Sequence, residues 1–158
     1  MKYIILVLII PLVSANLEIS EILPNPIGSD EFEYIEIYNP TTKVVSLENY
    51  SLRNTKKTIF LNRTYKEIAP SMYLLFYKNK TNLRLKNKGP ETIQLYEQDR
   101  LRDECNYTHT KEGFSWSKIN ATWILTTPTP LEPIPFQQQE RVVSKSTIKN
   151  SSKREVRY

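Results

Sequence analysis

Short runs of alternating apolar and polar residues recur along the chain. In Glu33-Tyr34-Ile35-Glu36-Ile37-Tyr38-Asn39, Ile35 and Ile37 fall on one side of an extended backbone, and Tyr34, Glu36 and Tyr38 on the other. That is a strand with an apolar inner face and an aromatic outer face carrying one carboxylate. Asn39-Pro40-Thr41-Thr42 closes it with turn residues. A first strand is expected over Leu17 to Leu23, followed by a loop in which Pro24, Pro26 and Gly28 forbid regular pairing.

Further strands are expected at Val44–Leu47, Tyr50–Leu52, Lys56–Leu61, Leu83–Lys86, Thr92–Tyr96, Leu101–Asp103, Phe114–Trp116 and Thr122–Leu125. Met72 to Tyr77 is apolar on both faces, as a central strand is. Pro128, Pro130, Pro133 and Pro135 end the regular pairing. No segment has a helical period capped at both ends. Short strands with regular turn signals predict an all-β sandwich or barrel.

The ends differ from this body. Lys2 precedes an apolar run from Tyr3 to Val13, and Val13-Ser14-Ala15 offers small residues before a cut. This is the pattern of a secretory signal peptide over residues 1–15, too short to span a bilayer comfortably. The body is expected over residues 16–136, and residues 137–158 read as a disordered basic tail of Gln, Ser, Lys and Arg. The expected product is secreted or held at the cell surface, with no membrane span once the signal is removed.

Charge sharpens the picture in two places. The chain of 158 residues carries a net +5. The tail from Gln137 holds six cations against two acids, a net of +4, and the body is balanced. Within the body ten cations lie between Arg53 and Lys88 against Glu67 alone, while residues 17–48 are acidic. Strand pairing that interleaves the two blocks is the plain reading. A basic face for a polyanion is the alternative, with Arg53, Lys56, Lys57, Lys78, Lys80, Arg84, Lys86 and Lys88 as contacts, joined by Lys145, Lys149, Lys153, Arg154 and Arg157 of the tail.

The catalytic inventory is thin. Cys105 is the single cysteine, so no disulfide closes within the chain and no thiolate zinc site forms; it reads as a buried inert thiol, with pairing between chains as the alternative. His109 is the single histidine, in a polar stretch that reads as solvated loop. Glu21 and Glu36 form the best carboxylate pair for glycoside hydrolysis, since each interrupts an apolar strand. The favoured reading makes them structural acceptors of backbone or Tyr hydrogen bonds. Asp30, Glu31 and Glu33 lack the spacing of a calcium loop. Trp116 and Trp123 are read as core rather than as a carbohydrate platform. No cofactor and no small-molecule substrate is expected. Six Asn-x-Ser/Thr sequons are candidate glycosylation acceptors: Asn49, Asn62, Asn79, Asn106, Asn120 and Asn150.

Ile19-Ser20-Glu21-Ile22-Leu23-Pro24-Asn25-Pro26, then Glu33 to Pro40, then Val45-Ser46-Leu47 and Tyr50-Ser51-Leu52, resemble the lamin-tail domain. Ile68-Ala69-Pro70, Tyr73-Leu74-Leu75, Leu85 to Leu95, Gly113 to Lys118, Trp123 and Pro128-Thr129-Pro130 extend the resemblance over about residues 17–131. It departs at Glu48-Asn49-Tyr50 and Asp99-Arg100, where the family has other turn residues. The resemblance implies an immunoglobulin-like β-sandwich, of the kind found in exported prokaryotic proteins, and brings no catalytic residues. Two functions follow as expectations: a non-catalytic extracellular interaction module for a protein or envelope polymer, or a nucleic-acid-binding accessory protein using the basic block and tail.

Overall fold

The structure is a computed structural model and describes residues 16–133. The expected signal peptide and tail lie outside the described residues, and with them Asn150, Lys145, Lys149, Lys153, Arg154 and Arg157.

Alternation dictates where each strand puts its side chains. In chain order the strands are β1 (Glu18–Leu23), β2 (Tyr34–Tyr38), β3 (Val45–Ser46), β4 (Tyr50–Arg53), β5 (Thr58–Phe60), β6 (Glu67–Ile68), β7 (Tyr73–Tyr77), β8 (Glu91–Glu97), β9 (Arg100–Tyr107), β10 (Ser115–Ile119) and β11 (Thr122–Thr126). One sheet has the order β11-β10-β1-β2-β7, the other β5-β4-β8-β9, and β3 pairs with β6 alone. Every pairing is antiparallel. The two larger sheets face each other as an immunoglobulin-like sandwich.

The core lies between them. Ile19, Ile22, Ile35, Ile37 and Phe76 come from the five-stranded sheet, and Leu52, Ile93, Leu95, Cys105 and Tyr107 from the four-stranded one. Cys105 is buried and unpaired, and burial pushes its thiol up, away from reactivity. The β1–β2 register shifts between Ile19 and Glu21. This bulge lets Ile19 and Ile22 both reach the core although they are three apart, and it sets Ser20 beside Glu36.

Three local expectations are corrected. Leu83 and Leu85 are buried but belong to no strand, because the segment follows a single helical turn, α1 (Lys78–Thr81), closed by Asn82 at φ +53°. β9 runs to Tyr107, past the expected Asp103. Tyr107 is core, not loop: its hydroxyl donates to Glu91 Oε2 at 2.6 Å, itself buried. Trp116 and Trp123 pack against the core while partly exposed, and their indole N–H groups donate to the carbonyls of His109 and Glu104.

Candidate functional site

The outer face of the five-stranded sheet carries the most chemistry. Glu21 and Glu36 are direct cross-strand partners there, and both are almost fully buried. A lone buried carboxylate is costly, so donors must surround it. Glu21 Oε1 accepts from Ser115 Oγ and Ser117 Oγ, each at 2.7 Å, and its Oε2 from Tyr34 Oη at 2.5 Å. The pairing of Glu21 with Ser117 across β1 and β10 brings these hydroxyls to it. Glu36 Oε1 accepts from Ser20 Oγ at 2.6 Å.

The remaining donors come from the segment after β11. Thr129 N–H donates to Glu21 at 3.1 and 3.2 Å, and Leu131 N–H to Glu36 Oε2 at 2.6 Å. Residues 127–133 therefore cross from β11 over β10 and β1 to β2, as a strap. Pro128 and Pro130 bar this strap from pairing as a further strand.

Burial raises Glu36 to about 7; Ser20 and Leu131 pull it down by bonding its anion, and the neighbouring Glu21 pushes it up. Tyr34 is raised as well, by burial first and then by the charge of Glu21. Beside the strap a cavity of about 130 Å3 opens between Glu18, Glu36, Tyr38, Tyr73, Thr129 and Glu132. Tyr38 and Tyr73 stack along it with ring centroids 4.4 Å apart. A larger depression of about 500 Å3 at the β8–β9 turn is open to solvent, and its Arg102 is already paired with Glu97.

The basic block divides. Lys78 is a correction: it is buried, with Nζ 3.0 Å from Glu31 Oε1 and 4.0 Å from Glu33 Oε1, and is no surface contact. Here the acidic and basic blocks do meet. Arg53 lies 4.0 Å over the Tyr96 ring and donates to the Gln98 carbonyl. Lys57 Nζ donates to the carbonyls of Thr81 and Asn82, and Lys86 Nζ to that of Pro90. The Lys57 bonds, with Asn54 Nδ2 on the Arg84 carbonyl, fold the β4–β5 loop onto residues 81–84. Lys56, Lys80, Arg84 and Lys88 remain exposed and form no ion pair among the described residues.

Of the sequons, Asn49, Asn79, Asn106 and Asn120 are exposed and Asn62 is half-buried. Asn106 is engaged, bonding Thr92 Oγ1 and Glu104 Oε1. His109 is exposed and packs edge-on against Trp116. Among the described residues no group of His, Cys, Asp and Glu is placed to hold a metal ion.

The sandwich and its carboxylate-bearing strands agree with one further observation. A family model for the Lamin Tail Domain matches residues 12–109, more than half of the chain. The chain belongs to the lamin tail domain family. No curated protein and no solved structure matches it. Lamin tail domains are immunoglobulin-like, non-catalytic modules of the protein-interaction type. The match begins inside the expected leader and ends at His109. β10, β11 and the strap lie beyond it, yet they complete the sheet and fill the Glu21–Glu36 site. No helix among the described residues is long and apolar enough to cross a membrane.

Proposed function

We propose that the protein is a non-catalytic interaction module working outside the cell or at its surface, and that its partner is a protein or an envelope polymer. One observation carries the non-catalytic part. The best acid–base pair in the chain, Glu21 and Glu36, spends its oxygens on six internal donors under a strap. A glycosidase needs its two carboxyls open on either side of a sugar. The outside location rests on Lys2, the apolar run after it and Val13-Ser14-Ala15, and on four exposed sequons. Mass spectrometry of exported protein tests it: Asn16 is expected as the first residue, with glycan mass on exposed sequons where the host glycosylates. Membrane-bound material with Met1 intact contradicts it.

The exposure of Lys56, Lys80, Arg84 and Lys88, with the β4–β5 loop bonded to residues 81–84, favours a second reading, a nucleic-acid-binding accessory protein. Affinity for duplex DNA measured against salt separates the two. If the four exposed cations act together, log K falls with log salt with a slope of about −3.6, from about 0.9 per neutralised phosphate. A salt-independent or absent affinity leaves the first reading.

A further inference from the structure

What Glu21 and Glu36 recognise is a main-chain pattern. Pro128 and Pro130 carry no N–H, so the donors between 128 and 131 are Thr129 and Leu131, and both go to a buried carboxylate. The two donors are two residues apart and meet acceptors on two adjacent strands. The side chains of Pro130 and Leu131 contribute little to this fit, being exposed (Leu131 53%), while Pro128 and Thr129 are half-buried. The stacked Tyr38 and Tyr73 line the cavity beside the strap, an aromatic wall of the kind that proline-rich segments dock against. Leu131 has φ +64°, a left-handed state that costs a residue with a Cβ and costs glycine nothing. The strap is thus a ligand by its contacts, and not the best one its own site admits.

We propose that the outer face of the five-stranded sheet is a peptide-binding cleft, reading proline-alternating segments of a partner protein that close in a β-turn, with residues 127–133, where Glu132 N–H donates to the Thr129 carbonyl at 3.1 Å, as its resident and displaceable occupant. This deepens the interaction-module reading and rests on it. A partner segment with proline at alternate positions and glycine where the strap has Leu131 makes the same two bonds without the backbone strain.

The test uses the full chain carrying Thr129→Pro and Leu131→Pro. These remove both N–H groups, and proline does not adopt the φ of Leu131. The probe is a synthetic peptide of residues 126–133, Thr-Thr-Pro-Thr-Pro-Leu-Glu-Pro, and its variant with glycine for leucine, titrated calorimetrically. The leucine peptide is expected to bind the strap-released chain about tenfold or more tighter than the wild type, whose cleft is filled. The glycine peptide is expected to bind tighter still, and adding Glu36→Ala is expected to remove the gain. Absence of binding to a strap-released chain that melts cooperatively overturns the cleft while leaving the interaction-module reading standing. Should the double variant not fold, wild-type chain with excess spin-labelled peptide serves instead. Broadening of Tyr38 and Tyr73 signals is then expected, and its absence overturns the proposal. Sedimentation of the wild type gives the remaining outcome: dimers that the double variant does not form would make the occupant a second copy, against a partner protein.

Discussion

The N–H of Leu131 meets Glu36 Oε2 at 2.6 Å across 95 residues of sequence. This bond, with that of Thr129 to Glu21, closes the outer face of the sheet over two carboxylates that would otherwise be buried at a loss.

Replacing Glu36 tests that role. Glu36→Ala removes the acceptor of the Leu131 N–H, leaves the Ser20 hydroxyl only the longer bond to the Glu36 carbonyl at 3.3 Å, and leaves a void, for an expected loss of about 2–4 kcal/mol in urea unfolding. Glu36→Gln keeps the shape and one acceptor, and Ser20 Oγ can take the new N–H. Its expected cost at pH 5 is about 1 kcal/mol or less.

The pH dependence has a definite sign. Glu36 holds its proton to about pH 7 when folded and to about 4.5 when unfolded. Between those values the native state binds more protons, so stability falls as pH rises through the window and is flat outside it. At about 1.4 kcal/mol per unit, the loss due to Glu36 is about 3 kcal/mol. Glu33, raised mainly by burial, adds in the same direction. Subtracting the Glu36→Gln stability curve from that of the wild type isolates the Glu36 part. A difference that does not change between pH 4.5 and 7 would contradict it.

Much of this was legible beforehand, and the reasons differ by element. The alternation of Glu33 to Asn39 placed Ile35 and Ile37 inward, and they are core. A carboxylate breaking an apolar strand marked Glu21 and Glu36 as needing donors, but their identity depends on the Ile19/Glu21 bulge and on contacts 95 and 108 residues away, which no local pattern encodes. Tyr107 escapes the pattern because β9 alternates among charged residues and resembles loop. The run of cations around Lys78 hides that its side chain turns back to Glu31. The prolines of the strap exclude a strand without saying what it covers.

The core carries the ordinary penalty for charge. Ile37→Asp places an unpaired carboxylate at a fully buried position. The expected cost is several kcal/mol, comparable with the roughly 5–15 kcal/mol that holds a domain together, so loss of the cooperative melt is expected. A melt within a few degrees of the wild type would contradict the core assignment.

The basic loops should separate stability from binding. Glu in place of Lys56, Lys80, Arg84 and Lys88 together is expected to weaken polyanion affinity with little change in melting temperature, because all four are exposed. Lys78→Gln is expected to do the reverse, lowering stability while leaving that affinity intact, since it unpairs Glu31 and the buried Glu33.

Amide exchange at Thr129 and Leu131 tests the Glu21–Glu36 anchor most directly. In the wild type at pH 5 both amides are expected to exchange about a hundredfold or more slower than in a free peptide, from opening free energies of a few kcal/mol. In Glu36→Ala, still folded, Leu131 is expected to lose that protection while Ile35 and Ile37 keep theirs. Free-peptide exchange at both amides of the wild type would contradict the account.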